Sequence, residues 1–282
     1  MTRHSRPGDP ARDFCQWPYD RPSPPAIGAL RQEAVLLDIL AETVPGSALA
    51  ARLAAIQTVV GRFGTVWGLK SDGRSLGVEL YFYDYAREDR ALSPARLAAA
   101  VPGLIAPGLT VDDAVPYFMW SLELDPTRDR PADTLDIYCN GFGGTVSGGV
   151  CYTVQQGGTE LKNTYHFFES RADRAAIHEA MRSNPRFPGM AQLPEVLHPG
   201  AADEEIFVVA MKRVRDGVYF SRVRVGAALT LLDRCGIAGP IRAALARHQG
   251  VLGHHLFDVG LDYERAPDGT VQVTKAALYG IW

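Results

Sequence analysis

The sequence predicts an α+β fold in which ten antiparallel strands, built from αββα units, close into a β-barrel with the helices outside. Two observations predict it. Five segments read as strand pairs, four of them with Gly-containing tight turns, and helical patterns fall between them. A tight turn makes each pair antiparallel, which excludes βαβ units. The second observation is the character of the strand faces. In "GVELYFYDY" one set of alternate positions is Val78, Leu80, Phe82 and Asp84; the other is Gly77, Glu79, Tyr81, Tyr83 and Tyr85. A carboxylate followed by three tyrosines suits an enclosed lumen better than bulk water, and closure provides one.

Residues 1–26 are rich in Pro, Arg and Asp and read as an irregular N-terminal segment; residues 27–282 read as a single barrel domain. Two helices come first. "AIGALRQEAVLLDILAETV" places Leu30, Ala34, Leu37 and Leu40 near 3.6 spacing, and "SALAARLAAIQTVVGRFG" ends at Gly61 and Gly64. The period then changes to two. "FGTVWGLKSDGRSLGVELYFYDY" is a hairpin turning at Asp72-Gly73, and the helix "SPARLAAAV" follows. "PYFMWSLELDP" and "TLDIYCNG" form the second pair. Their apolar sets are Phe118, Trp120, Leu122, Leu124 and Leu135, Ile137, Cys139; the alternate sets are Tyr117, Met119, Ser121, Glu123 and Asp136, Tyr138, Asn140. The third pair turns at Gly157-Gly158. A helix then opens with Ser170 and Asp173 in capping-box positions. The fourth pair turns at Asp216-Gly217, a helix broken around Gly236 to Pro240 follows, and the fifth turns at Asp268-Gly269.

Composition narrows the function classes. The chain has 282 residues, is 46% hydrophobic and carries a net charge of −3, without a Lys/Arg run. That balance speaks against nucleic acid and anionic membranes as partners. Cys15, Cys139, Cys151 and Cys235 show no CxxC spacing, so neither a zinc site nor a disulfide framework is expected. The N-terminus lacks an apolar signal region, and no apolar run reaches about 18 residues. A cytoplasmic protein with reduced thiols is the expectation.

Three stretches carry a resemblance. "KNTYHFF" (Lys162 to Phe168), "MKRVRDGVYFS" and "TKAALYGIW", on a chain of five strand pairs, resemble the ABBA-type aromatic prenyltransferases over roughly Ile27 to Trp282. The resemblance implies the family's prenyltransferase barrel and transfer of a dimethylallyl or geranyl group from its diphosphate to an aromatic small molecule. It also leaves room for the peptide-modifying prenyltransferases of the same fold, which act on a peptide side chain. Some soluble bacterial members hold Mg²⁺ with an aspartate on the second strand. The matching position here is Tyr81, so members that need no Mg²⁺ are the better guide; no metal ligand is assigned and no cofactor is expected to be required.

That chemistry needs fixed cations for the leaving diphosphate, π-faces around the allylic cation, and a base or hydrogen-bond acceptor for the aromatic substrate. Lys162, Lys212, Arg213, Arg222, Arg224 and Lys275 are the candidate cations, Lys275 foremost, because it shares a strand face with Ala277 and Tyr279. Strict alternation sets Arg222 and Tyr219 on opposite faces. It also makes Asn163 and Tyr165 compete with Lys162 and His166; the resemblance favours Asn163 and Tyr165. Tyr81, Tyr83, Tyr165 and Tyr279 would form the cation shield, and Glu79 the catalytic base. "HQGVLGHH" lacks an HExxH frame, and "GFGGTVSGG" lacks the Lys-Ser/Thr of a phosphate loop and reads as a flexible connection. A non-catalytic barrel holding an apolar ligand, and an open-sheet α+β enzyme, are the rivals.

Overall fold

The computed structural model describes residues 3–7, 9, 28–62, 64–84, 90–141, 147–237 and 239–282. Most of the 1–26 segment, Cys15, Tyr85 and the middle of the Gly141–Gly149 connection lie outside the described residues. The ten strands run β1 (Thr65–Ser71), β2 (Leu76–Tyr83), β3 (Tyr117–Leu124), β4 (Thr134–Asn140), β5 (Ser147–Gln155), β6 (Gly158–Glu169), β7 (Ile206–Lys212), β8 (Asp216–Arg224), β9 (Leu256–Arg265) and β10 (Val271–Ile281). Each pairs antiparallel with the next, and β1 pairs with β10, so the predicted closed barrel forms and the open-sheet rival falls away.

Among the described residues, six α-helices surround it: α1 (Glu33–Thr43), α2 (Leu49–Val60), α3 (Pro94–Ala100), α4 (Arg174–Arg182), α5 (Val225–Cys235) and α6 (Gly239–Arg247). The main core lies between barrel and helices. Leu69, Leu80, Phe82, Trp120, Phe207, Phe220, Leu261 and Leu278 from the strands meet Leu36, Ile39, Leu53, Ile56, Leu232 and Leu245 from the helices. Gly236 ends α5 with φ +69, a left-handed cap that splits the predicted long helix. Among the described residues, no helix is long and apolar enough to cross a membrane.

Two local expectations differ from the structure. Ser170 does not cap α4: its hydroxyl donates to Glu204, Asp173 is the N-cap residue, and the Asp173 carboxylate accepts from the Glu169 amide at 2.9 Å. The fourth hairpin turns at Arg213–Arg215, ahead of Asp216-Gly217. Gly217 instead lies within β8, where a Cβ would come 2.8 Å from the Asp262 carboxylate and 3.1 Å from the Lys212 side chain.

The seam that closes the barrel is pinned by side chains. The Trp67 indole N–H donates to the Ile281 carbonyl at 3.1 Å, and the Gln32 amide accepts from the Ile281 N–H at 2.6 Å while donating to the Leu256 carbonyl. Trp67 packs against Gly280, where a Cβ would come 2.5 Å from its ring. Gly280→Ala must therefore displace a fully buried indole. It is expected to cost about 2 kcal/mol of stability in urea denaturation; a loss near zero would show that the seam tolerates displacement.

Even-numbered strands all run from the hairpin end of the barrel toward the end where the helices connect. Four strands carry a register irregularity, and each changes what faces the lumen. On β3 the pairing steps from Tyr117 to Met119, so Phe118 joins Met119 in the lumen and Tyr117 turns into the outer core, opposite to the alternation read from the sequence. On β6 the step leaves Lys162 and Asn163 both facing inward. On β8 the step between Phe220 and Val223 turns Arg222 inward beside Ser221 and Tyr219. On β10 it falls between Val273 and Lys275. Bulges of this kind add one residue to a strand and re-aim its side chains.

Candidate active site

The lumen has three levels. The hairpin end holds a charged chamber of about 1090 Å³. Its inner wall carries four lysines, Lys70, Lys162, Lys212 and Lys275, and four carboxylates, Glu79, Glu123, Asp136 and Asp262. Glu79 on β2 and Lys212 on β7 come from opposite sides of the ten-strand ring.

Three of the lysines are paired. Lys70 bridges Glu79 and Glu123, the latter at 3.1 Å; Lys162 pairs with Asp136; Lys212 pairs with Asp262 at 2.5 Å and donates to the Tyr219 hydroxyl at 3.1 Å. Burial disfavours the charge on Lys212, but Tyr219 and Asp262 outweigh it and hold the ammonium protonated. Lys275 has no hydrogen bond or ion pair among the described residues. Burial pushes its pKa down, and the neighbouring Lys70 adds to that.

Glu79 is buried, and three donors surround it: Tyr81 hydroxyl at 2.6 Å, Ser121 hydroxyl at 2.5 Å and the Lys70 ammonium. Burial alone would raise its pKa; Lys70 and Lys162 overcome that and pull it down to about 2. Asp136 goes the other way: burial raises it against the pull of Lys162, and Glu79 adds to the rise.

Below the charged chamber lies a ring of five tyrosines, one from each even strand: Tyr81, Tyr138, Tyr165, Tyr219 and Tyr279. Successive ring centroids are 6.3, 6.1, 6.1 and 6.1 Å apart, and Tyr279 returns to Tyr81 at 5.8 Å. Each ring sits directly across the sheet from a small residue on an odd strand. Tyr279 faces Gly68, Tyr81 faces Ser121, Tyr138 faces Cys151, Tyr165 faces Ala210 and Tyr219 faces Gly260. This alternation of large and small around the barrel fills one layer without leaving the strand register. Polar partners at the charged end bind the hydroxyls: Glu79 for Tyr81, Asn163 for Tyr165 at 2.8 Å, Lys212 for Tyr219. Burial raises the pKa of Tyr81, Tyr138, Tyr165 and Tyr279 well above 10, so these hydroxyls stay neutral.

The third level is a smaller chamber of about 180 Å³ on the far side of the ring, toward the helix-connected end. Val66, Phe118, Met119, Phe167 and Val208 line it, with Tyr83.

The structure thus brings together Glu79, Asn163, Lys212, Lys275, Tyr81, Tyr165 and Tyr279 around the charged chamber and its floor. Arg213 is exposed at the rim, paired with Glu160. Two residues lie elsewhere. Tyr83 is one level deeper, against the apolar chamber, because it sits two residues past the ring position on β2. Arg222 is at the far mouth, with φ +64, its N–H donating to Asp258 at 2.9 Å and its guanidinium 3.2 Å from Glu205. Sequence reasoning missed Tyr138 and Tyr219 as ring members, and Lys70 as the partner of Glu79. His254 and His255 pack with ring centroids 3.9 Å apart, His255 donating to the Leu30 carbonyl at 2.9 Å, while His248 pairs separately with Asp38. Among the described residues, no three His, Cys, Asp or Glu side chains are grouped to hold a metal ion. The Tyr81 hydroxyl is already engaged by Glu79 and brings no charge for one.

No known protein-family model and no curated protein matches the chain. Among the solved structures similar to it are two of one enzyme. One is 5-dimethylallyltryptophan synthase from Streptomyces coelicolor, at 12% identity and a TM-score of 0.48, over 88% of this chain and 95% of that one. The other is the same synthase in complex with DMASPP and Trp, at 11% identity and a TM-score of 0.46, over 88% and 93%. The likeness is one of fold.

Proposed function

We propose that the protein is an aromatic prenyltransferase that moves a dimethylallyl or geranyl group from its diphosphate to an electron-rich aromatic acceptor. One observation carries the reading: a closed ring of tyrosines lies beneath a wall of lysines, and a buried carboxylate faces that wall.

The diphosphate is placed on Lys162, Lys212 and Lys275, with Asn163 beside them and Arg213 at the rim. An ammonium has three donors. Lys212 spends two on Asp262 and Tyr219, Lys162 spends one on Asp136, and Lys275 spends none, so donors remain for phosphate oxygens. When the C–O bond breaks, negative charge develops on the bridging oxygen against these cations and the neutral tyrosine hydroxyls. The allylic cation forms over the rings, whose π-faces stabilise it and exclude water. Arg222, at the far mouth, is not part of this group, and Tyr83 lines the chamber beyond.

The acceptor sits against Glu79 on the opposite wall. Its ring attacks C1 of the cation, a C–C bond forms, and the arenium C–H proton passes to the Glu79 carboxylate. A carboxylate held near 2 is a weak base, but an arenium ion is a far stronger acid than any carboxylic acid, so the transfer is downhill. Lys70, Tyr81 and Ser121 fix the carboxylate in place. The width of the charged chamber leaves room for a peptide side chain as well as a small molecule.

The test is direct. The protein is incubated with dimethylallyl or geranyl diphosphate, with and without EDTA, against aromatic small molecules and Trp- or Tyr-containing peptides. A product heavier by one prenyl unit is expected. No product with any acceptor, and no rise in Tm with the diphosphates, would sink the reading. A rise in Tm without product would favour the non-catalytic barrel.

A further inference from the structure

Lys212 ties the charged chamber to the ring beneath it. Its ammonium pairs with Asp262 on β9, donates to the Tyr219 hydroxyl and lies 5.4 Å from the centre of the Tyr219 ring. Its main chain, by contrast, has little sheet to hold it. The β7–β8 ladder runs from Ile206 opposite Ser221 to Ala210 opposite Gly217, two residues short of Lys212. The β6–β7 ladder ends at Lys212 itself, opposite Asn163. Beyond the bulge, β6 from Leu161 to Gly158 pairs with β5 and no longer runs beside β7. The Lys212 N–H donates to the Asp216 carboxylate at a long 3.4 Å.

A side chain from outside the barrel takes over where the ladder stops. The Arg186 guanidinium donates to the Lys212 carbonyl through one terminal nitrogen and to the Arg213 carbonyl through the other. Arg186 stands on the segment after α4, and its root is fixed there. Its own N–H donates to the side chain of buried Asn184 at 2.9 Å. The Phe187 N–H donates to the Asn184 carbonyl at 2.9 Å, and the Phe187 ring packs against the main core. Arg186 does not line the charged chamber. It is exposed, and water could satisfy two carbonyls at a hairpin end as well as an arginine does. What water does not supply is a fixed distance. A planar guanidinium gripping two successive carbonyls does, and it joins the end of β7 to the helical layer.

We propose that Arg186 is a positioning residue for Lys212: it stands in for the strand partner that the end of β7 lacks, and so holds the Lys212 ammonium where the leaving diphosphate meets it. The proposal rests on the prenyl-donor reading of the charged chamber. A lysine stem is flexible, so its ammonium is placed only as well as its main chain and its partners place it. A shift of about 1 Å in such a group can cost on the order of 100-fold in rate.

The test compares Arg186→Ala and Arg186→Lys with wild type, each also in a Lys212→Met background. Calorimetry reads binding of the unreactive dimethylallyl S-thiolodiphosphate, and product formation gives KM for donor and acceptor. Arg186→Ala is expected to weaken binding of the analogue about tenfold and to raise donor KM to match, with acceptor KM within about twofold of wild type. Arg186→Lys keeps the charge and loses the fork, so it should recover no more than about half of that loss on a logarithmic scale. With Lys212 already gone, Arg186→Ala should cost less than about twofold more, because residues that act through one another are not additive. If the Lys212→Met background is too unstable to assay, Arg186→Lys and the split between donor and acceptor still decide. A fall in Tm with unchanged affinity for the analogue would make Arg186 a structural contact and overturn the proposal. So would a tenfold loss that persists without Lys212, or an Arg186→Lys variant that binds like wild type, which would make bare charge the cause. If wild type itself binds no analogue, it is the donor reading of the chamber that fails.

Discussion

Lys275→Ala is expected to weaken binding of dimethylallyl diphosphate by about 30-fold, in line with the ~2 kcal/mol typical of a hydrogen bond to a charged group. The same substitution should leave Tm unchanged or raise it. Lys275 is a half-buried ammonium with no partner among the described residues, and burial and Lys70 both press on its charge. Its removal relieves the folded protein and harms the ligand complex. Lys212→Ala should behave differently. It leaves Asp262 without its ammonium in a wall position that is only 10% exposed, so it is expected to lower stability by about 3 kcal/mol as well as donor affinity. Arg74→Ala, in the first hairpin turn, should change donor affinity little. Calorimetric titration with the three variants separates these outcomes. Equal losses for Lys275 and Arg74 would place the diphosphate elsewhere.

Glu79→Gln is expected to lower kcat about 100-fold or more, the range for loss of a positioned base, while donor affinity moves little. A second signature is the pH profile. With its pKa near 2, Glu79 is ionised throughout the working range, so wild-type kcat should show no acid limb from this group between about pH 5 and 8. An acid limb there that vanishes in Glu79→Gln would show that the carboxyl titrates near neutrality and is not held by Lys70. Stability gives the matching sign. The folded pKa lies below the usual 4.5, so the contribution of Glu79 is complete above that value and is lost as pH falls toward about 2. The stability gap between wild type and Glu79→Gln should therefore shrink over that interval.

Much of the barrel could be read from the chain because its signals are local. Asp72-Gly73 and Asp268-Gly269 turn hairpins where Asp-Gly should, and Gly73 and Gly269 have positive φ. The face Glu79–Tyr81 points inward because β2 keeps strict alternation. What could not be read comes from register. Lys162 and Asn163 looked like alternatives, as did Tyr219 and Arg222, and Phe118 looked like an outward residue. Bulges on β6 and β8 bring both members of each pair inward, the bulge on β3 turns Phe118 inward and Tyr117 outward, and a bulge depends on the partner strand rather than on the run of residues itself. Gly217 misled for a related reason: it follows an Asp as a turn glycine does, yet it serves as space for Lys212 and Asp262. Tyr138 carried a usable signal. It shares a strand face with Asp136 and Asn140, and a rule of one tyrosine per even strand opposite a small residue would have found it and Tyr219 together.

The central claim is that one lumen is divided by a tyrosine ring, with the leaving diphosphate on the lysine side. A crystal structure with dimethylallyl S-thiolodiphosphate tests it most directly. Density for the diphosphate among Lys162, Lys212 and Lys275, with the dimethylallyl carbons over the Tyr81–Tyr138–Tyr165–Tyr219–Tyr279 ring, is the expected result. Diphosphate bound at the Arg222 mouth, or on the outer surface of the barrel, would contradict the account.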